Sequence, residues 1–136
     1  MCALIVLAVC LAWQTARATS GPELDFVLNC QGCHRADGAG TPGAVPPLAG
    51  SVGKLVRASG GREFLVRVPG VAQAPLDDAA LAAVLNWMLA RFGRGDIPAG
   101  FVAYSAAEVR ALRVKPLIDV DRMRRGLVAD GSDVDD

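Results

Sequence analysis

The pentapeptide Cys30-Gln31-Gly32-Cys33-His34 constrains this chain more than any other feature, because it places two thiols and an imidazole within five residues. The spacing C-x-x-C-H is typical of covalent attachment of a c-type haem. Cys30 and Cys33 can each form a thioether bond with one vinyl group of the haem. His34 is then held where its imidazole can bind the iron as the proximal axial ligand. Such a chain has to fold around a large, flat, apolar group.

Three other uses of a C-x-x-C pair fit the sequence less well. A zinc site needs four ligands, and beyond residue 18 the chain offers only Cys30, Cys33 and His34 as cysteine or histidine ligands. A thioredoxin-like redox pair lies between a strand and a helix, and no such alternation is visible. A disulfide between the two cysteines would leave the adjacent histidine without a role. The motif therefore predicts one covalently attached haem c.

Length and charge narrow the class of protein further. The 136 residues suit one domain with at most a small appendage. Fourteen basic and 14 acidic side chains give a formal net charge of zero, and they are mixed along the chain, so nothing indicates a nucleic-acid partner or an anionic membrane surface. Aromatic residues make up only 5% of the chain, so a haem would supply much of the apolar surface around which a core could pack.

Residues 1–18 have the pattern of a secretory signal peptide. An apolar run, residues 2–13, precedes the small-x-small sequence Ala16-Arg17-Ala18, although no basic residue precedes the run. The run is shorter than the roughly 20 residues that cross a bilayer. An uncleaved segment that anchors the protein to the membrane is the alternative. A lipid anchor at Cys10 is disfavoured by the bulky Val9 before it.

Cleavage after Ala18 has a consequence for the thiols. Removing 18 of 136 residues leaves 118 and takes away Cys2 and Cys10, so Cys30 and Cys33 become the only cysteines. No thiol is then left over for a disulfide or a metal. In bacteria covalent haem attachment is completed outside the cytoplasmic membrane, so we expect the mature protein in the periplasm.

The first half of the mature chain predicts a helix followed by a long loop. Residues 22–30 begin with a proline suited to the first helical position and carry Leu24, Val27 and Leu28 at helical spacing, with Phe26 beside them. Residues 35–53 are rich in glycine, alanine and proline and predict an irregular loop. This loop contains a formal G-x-G-x-x-G, but no strand precedes it and prolines follow it, so we do not interpret it as a dinucleotide site.

The next segments predict two helices joined by a loop. Residues 61–68 form a short amphipathic segment, and a loop follows to residue 75. The strongest helical pattern starts at Asp77 or Asp78 and runs to Phe92, where glycines end it. Its apolar stripe consists of Leu81, Val84, Leu85, Met88 and Leu89.

After residue 95 the composition changes and predicts a helical extension. Ser105 and Glu108 form a capping-box pattern that opens a helix to about residue 112. Asp119 can cap a basic helix, residues 120–128, whose outer face is expected to carry Arg122, Arg124 and Arg125. We therefore divide the chain into a signal peptide (1–18), a main domain (19–95), a C-terminal helical extension (96–128) and a disordered acidic tail (129–136).

The order of these features over residues 22–92 resembles the class I cytochrome c family. The resemblance implies an all-α fold, a small helical domain wrapped around one covalent haem, here with the helical extension added. It also implies that Phe26 on the first helix contacts Trp87 on the long terminal helix. By the same resemblance, the Pro46 carbonyl accepts a hydrogen bond from the far nitrogen of His34, which orients the ring. Leu48 would pack on the haem.

The sequence departs from this family at the sixth iron ligand. The family places a methionine in the loop before the terminal helix, but residues 68–75 contain neither methionine nor histidine, and His34 is the only histidine. Met88 and Met123 are the methionines left after signal cleavage. Either is a candidate sixth ligand, while core packing for Met88 and an interhelical contact for Met123 are the alternatives. A vacant or water-bound position is also open, and the remaining candidate ligands are Lys54, Lys115 and Gln73.

The resemblance implies a periplasmic one-electron carrier without catalytic residues. Its partners would be redox proteins, such as a periplasmic dehydrogenase as donor and an oxidase or another cytochrome as acceptor, with membrane contact only if the N-terminal segment is retained. One alternative is a haem subunit of a periplasmic dehydrogenase complex, motivated by the extension, which could equally be a strap on the haem pocket. Another is a five-coordinate haem protein with ligand-binding or peroxidase-like activity.

Overall fold

Residues 21–129 are described in the computed structural model, without the side chains of residues 128 and 129. Every regular element in this range is a helix, and the only strand-like pairing there is a single bridge between Thr41 and Val45. The all-α prediction is therefore confirmed. In chain order the helices are α1 Pro22–Asn29, α2 Gln31–His34, α3 Val52–Arg57, α4 Gly61–Arg67, α5 Pro69–Ala72, α6 Asp78–Phe92, α7 Ala106–Arg113 and α8 Val120–Ala129.

The predicted signal peptide and acidic tail lie outside the described residues, except for residue 129, which ends α8. Among residues 21–129 no helix combines the length and the apolar character that a bilayer crossing requires. The domain boundaries remain predictions.

Three helices begin at the capping residues that the sequence predicts. Asp77 accepts a hydrogen bond from the Ala80 N–H at 2.8 Å at the start of α6. Ser105 accepts one from the Glu108 N–H at 3.2 Å at the start of α7. The Asp119 carboxylate accepts one from the Arg122 N–H at 3.0 Å. Each bond satisfies a backbone donor that the first turn of a helix leaves without an intrahelical partner.

Aromatic packing joins the first helix to the long terminal helix. The ring centroids of Phe26 and Trp87 are 5.1 Å apart, which confirms the predicted contact between α1 and α6. Phe92 adds a third ring, 5.6 Å from Phe26 and 6.0 Å from Trp87. Phe26 and Phe92 are 1% and 6% exposed and lie in the core, while Trp87 is half-buried and packs against it. Such tilted and edge-on pairs add to the burial of apolar area.

The extension shares the core of the main domain. The predicted stripe of α6 is buried, and the same hydrophobic cluster includes four residues beyond the predicted domain boundary: Tyr104, Val109, Leu117 and Leu127. Val109 is completely buried. Residues 101–127 therefore complete a continuous core that starts with Phe26.

Three short helices were not predicted from the sequence: α2, within the C-x-x-C-H motif, and two helices in segments that were assigned to loops. The segment assigned to a loop up to residue 53 contains the start of α3, and the loop after residue 68 contains α5. No side chain caps α3, and its stability comes from burying Val52, Leu55 and Val56 in the core. α5 is a single turn that begins at Pro69. Neither helix carries a local signal strong enough to distinguish it from a loop.

The orientation of two helical faces also differs from the prediction. Leu24, Val27 and Leu28 are 50%, 42% and 69% exposed, so the apolar spacing in α1 marks an outward face while Phe26 points inward. On α8, Arg122 and Arg125 are exposed but Arg124 is half-buried. Two residues apart on a helix means about 200° of rotation, so residues 122 and 124 lie on different faces.

Candidate haem site

The backbone brings Cys30, Cys33 and His34 together at the junction of α1 and α2. The Cys30 N–H donates to the Phe26 carbonyl at 2.8 Å and so continues the end of α1. The N–H groups of Cys33 and His34 both donate to the Cys30 carbonyl, at 3.2 and 3.0 Å. Cys30 is half-buried and Cys33 is exposed, and both are free thiols. One tight turn therefore presents two unpaired thiols and an imidazole.

A glycine turn reverses the chain directly after the motif. Arg35 has a φ of 63°, in the left-handed region that side chains rarely occupy, and Gly38 and Gly40 have φ values of 74° and 69°. The Gly40 N–H donates to the His34 carbonyl at 3.2 Å, and the Leu48 N–H donates to the Gly38 carbonyl at 2.7 Å. These bonds return residues 45–48 to the side of His34.

Gly40 allows a close approach of two backbone segments. A Cβ atom at this position would lie 2.7 Å from the Pro46 carbonyl oxygen and closer still to that of Val45. Only a residue without a side chain fits there. The absence of a Cβ therefore permits the strand-like bridge between Thr41 and Val45 and places Pro46 beside the turn.

His34 has a half-buried ring with one nitrogen left without a partner. Burial lowers the pKa of the imidazole, and hydrogen bonding to the Pro46 backbone acts in the opposite direction. Yet Nδ1 is buried without a direct hydrogen bond to any described residue. The Pro46 carbonyl is thus near the ring without forming a direct bond to Nδ1. A neutral imidazole offers a nitrogen lone pair to a metal, because only its protonated form carries hydrogen on both nitrogens.

This donor set fits a covalent haem. Two thiols can take the two vinyl groups, and the imidazole beside them can take one axial position of the iron. The Pro46 carbonyl beside the ring is the candidate acceptor for the hydrogen bond that usually orients a metal-binding histidine. No group of three or more His, Cys, Asp and Glu side chains among the described residues could hold a bare metal ion.

The predicted pocket residues differ in exposure. Leu48 is 8% exposed and belongs to the hydrophobic core. Pro46 is exposed, while the following proline is half-buried. The structure therefore brings both predicted residues near the motif through the glycine turn, with Leu48 on the buried side.

The two candidate methionines lie in different environments. Met88 is 7% exposed and belongs to the core cluster, as core packing predicts. Met123 is 43% exposed and lines an open groove of about 780 Å³ between α4 and α8. The groove is lined by residues 59, 67, 116–119, 122, 123, 126 and 127, none of them from the C-x-x-C-H motif. Of the other candidate ligands, Gln73 and Lys115 are exposed and Lys54 is half-buried in α3.

Arg113 holds the loop in which the family places its methionine, and the sequence did not predict this contact. Its guanidinium donates to the carbonyls of Ala72, Ala74 and Leu76 at 3.0, 2.7 and 2.8 Å. It also lies 3.3 Å from the Asp78 carboxylate. The acceptors are backbone groups 37 to 41 residues away, so no side-chain pattern could have indicated them.

Two further contacts that the sequence did not predict join the extension to the main domain. Arg62 pairs with Glu108 through two parallel hydrogen bonds, one of them 2.7 Å long, and stacks on the ring of Tyr104 at 4.2 Å. Asn86 and the Tyr104 backbone exchange two hydrogen bonds of 3.0 and 2.8 Å. Glu108 thereby combines the predicted capping box, in which hydrogen bonding to the Ser105 backbone helps to lower its pKa, with the pair to Arg62.

The chain is similar to cytochrome c-552 of Thermus thermophilus. The two are 39% identical over 106 residues, which cover 65% of this chain and 81% of the relative. A second cytochrome c-552 from the same species gives the same identity over 106 residues and is covered to 72%. No protein-family model matches the chain. The matched 65% corresponds to about 88 of the 136 residues of this chain. About 18 of the 106 positions in the comparison are therefore gaps in this chain.

Proposed function

Because this chain belongs to the class I c-type cytochrome family, we propose that it carries single electrons between protein partners in the periplasm. Proteins of this family bind haem c covalently, and this chain is a monohaem c-type cytochrome that transfers electrons rather than an enzyme. The observation that carries the finer proposal is the single turn that presents Cys30, Cys33 and His34 together.

In this proposal the three motif residues have separate roles. Cys30 and Cys33 form the two thioether bonds, and His34 is the axial ligand. When bound, the haem supplies an iron that takes up and releases one electron. The chain holds the imidazole in place through the hydrogen bond from its backbone N–H to Cys30 and through the glycine turn that returns Pro46 to the ring. Leu48 provides apolar contact at the buried side.

An exposed apolar surface beside the motif supports transfer to protein partners. Cys33 is exposed, and α1, which leads directly into the motif, presents Leu24, Val27 and Leu28 to solvent. A small apolar surface next to the cofactor suits a partner that binds briefly and leaves. The donor would be a protein such as a periplasmic dehydrogenase, and the acceptor an oxidase or another cytochrome.

A haem subunit of a dehydrogenase complex is the second candidate, and residues 96–128 motivated it. Hydrogen bonds of Arg62, Arg113 and Asn86 join this extension to the main domain. Two residues of the extension, Val109 and Leu127, are buried in the common core. These contacts support a role as an internal strap, and hence a free carrier. A dedicated subunit would copurify with a dehydrogenase at equal stoichiometry from its own cells, whereas a carrier would not.

The mass of the mature protein tests both haem attachment and export. We expect the protein isolated from the periplasm of a host with haem-attachment machinery to have the mass of residues 19–136 plus one haem. The haem should stay with the chain in acidic acetone, and the holoprotein should titrate reversibly as a one-electron couple. The double variant Cys30→Ala/Cys33→Ala should lose the haem completely under the same extraction.

Cys2→Ala is the matched control, because the same substitution falls in the segment that we expect to be removed. Its mature product should have the same mass and the same haem content as the wild type. Haem that is extracted from the wild-type protein by acidic acetone would contradict covalent attachment. A mature mass that includes residues 1–18 would contradict cleavage after Ala18 and leave the attachment proposal standing.

A further inference from the structure

We propose that no side chain of residues 21–129 occupies the iron position opposite His34, so that this position binds a small neutral ligand such as carbon monoxide or nitric oxide. The proposal rests on the haem attachment proposed above and extends it to the other face of the iron. Cytochromes c are usually closed there by methionine sulfur or histidine nitrogen. The loop before α6 and the two methionines of the described residues, which are the first candidates for such a ligand, are each held in another role.

The loop between α4 and α6 cannot supply the ligand. Residues 68–77 contain no sulfur and no imidazole, and their one amide side chain, Gln73, is exposed. The loop is also held firmly, because Arg113 binds three of its carbonyls at 2.7 to 3.0 Å. Ala72 and Ala74 are 6% and 7% exposed, so the loop packs into the protein. The buried side chains of this loop, Ala72 and Ala74, carry no atom that can bind iron.

The match with the relatives supports a shortened segment. About 18 of the 106 matched positions have no counterpart in this chain. The connection from the end of α4 at Arg67 to the start of α6 at Asp78 has only ten residues, 68–77, and includes the one-turn α5. A chain that loses residues within the matched region can also lose a ligand that those residues carried.

Met88 is fixed in the core. It lies in the interior of α6, a regular helix of 15 residues, and its side chain is 7% exposed within the same cluster as Phe26 and Phe92. Removing a buried methionine side chain from a packed core is destabilising, because it leaves a cavity. The helix therefore keeps Met88 as a packing residue rather than releasing it to the iron.

Met123 is directed into a different part of the surface. It lines the groove formed with Arg67, Leu117 and Leu127, and the groove contains no residue of the motif. Its helix is held by Leu127, which is 5% exposed in the core. Met123 thus lies on the face between α4 and α8, in a groove that the motif at the junction of α1 and α2 does not line.

Spectra of the full-length holoprotein test this proposal. At neutral pH the oxidised form should be high-spin and lack the near-infrared band that methionine sulfur gives on oxidised haem iron. After reduction, one carbon monoxide per haem should shift the main absorption band completely. The volume-conserving variants Met88→Leu and Met123→Leu should have the same spectra as the wild type, because neither sulfur is a ligand.

Each contrary spectrum identifies a different error. A near-infrared sulfur band in the oxidised wild type overturns the proposal, and its loss in Met88→Leu or Met123→Leu names the ligand. A low-spin oxidised form without that band, abolished by Lys54→Ala or Lys115→Ala, also overturns it. So does a reduced protein that carbon monoxide does not change. In all three cases the proposed electron carrier survives, provided that the haem remains attached in acidic acetone and titrates reversibly.

Discussion

At Gly40 the backbone meets two requirements that only glycine satisfies together. Its φ of 69° lies in the left-handed region, and a Cβ atom would meet the carbonyls of Val45 and Pro46. Not every glycine of this turn meets both. Gly43, for example, has a φ of 74° but open space around the position of a Cβ. Comparing Gly40 with Gly43 therefore separates the effect of a left-handed φ from the effect of a crowded Cβ position.

We expect Gly40→Ala to destabilise the protein by about 2 to 5 kcal/mol, because left-handed strain and overpacking add. Gly43→Ala should cost only about 1 to 2 kcal/mol, from the strain alone. Urea unfolding of the two variants measures both values. Equal losses at the two positions would show that contact with Val45 and Pro46 does not matter.

At the same scale, the sequence predicted those residue contacts that depend on a strong local or family pattern. The contact between Phe26 and Trp87 was expected, and its centroid distance of 5.1 Å confirms it. The half-burial of Arg124 was not expected, since the direction of one basic side chain depends on what the helix packs against. The roles of Cys30, Cys33 and His34 as haem ligands remain predictions.

At the scale of elements, the helices that begin at capping residues were predicted, whereas the short, uncapped helices α2, α3 and α5 were missed. α6 begins at an aspartate and carries a regular apolar stripe, so its bounds could be predicted from the sequence. α3 has neither feature and is positioned by close packing of Gly53 against the end of α6. A Cβ on Gly53 would lie 2.7 Å from the Gly93 carbonyl oxygen. Because that neighbour is 40 residues away, the sequence around Gly53 does not by itself indicate the packing that positions the helix.

Arg113 and Arg110 on α7 give a matched pair for testing how this helix holds the loop before α6. Arg113 is 16% exposed and binds three loop carbonyls, while Arg110 is 76% exposed and has a single ion pair with Asp78. We expect Arg113→Ala to cost about 2 to 3 kcal/mol, since it leaves buried carbonyls without donors. Arg110→Ala should leave the urea midpoint unchanged, because exposed ion pairs contribute little.

Amide hydrogen exchange shows whether the loss in Arg113→Ala is local. Protection should fall at the N–H groups of residues 71–74, which are bonded within the loop, and remain in the middle of α6. A uniform loss of protection across both regions would argue that Arg113 supports the whole core and not the loop.

At the scale of the whole molecule, the extension acts as a part of the main domain. Arg62 on α4 and Glu108 on α7 are 46 residues apart and form two parallel hydrogen bonds beside the ring of Tyr104. The Tyr104 hydroxyl in turn donates to the Arg62 carbonyl at 2.9 Å. Burial raises the pKa of Tyr104, so this donor keeps its proton through the whole neutral range.

The pair of Arg62 and Glu108 predicts that the stability of the folded protein depends on pH. The hydrogen bonds from Arg62 lower the pKa of Glu108 below its ordinary value of 4.5. A carboxylate with a lower pKa in the folded state stabilises the protein above the unfolded-state value and loses that contribution as the pH falls through the folded-state value. The melting temperature of the wild type should therefore exceed that of Glu108→Gln at pH 7, and the difference should shrink towards pH 3.

Glu23→Gln is the control for this measurement, since Glu23 is exposed on α1. Its melting temperature should follow that of the wild type across the same range. A difference between the wild type and Glu108→Gln that stays constant from pH 7 to pH 3 would show that the charge of Glu108 does not couple α7 to α4.

The sequence by itself determined the kind of cofactor, the helical class and the helices that start at capping residues. Each depends on residues a few positions apart, such as the thiols of Cys30 and Cys33, whose spacing alone suits two vinyl groups. Only the tertiary structure decided that Arg62 and Arg113 join the extension to the domain and that Met88 lies in the core. These facts depend on burial and on partners about 40 residues away, which a local pattern does not contain.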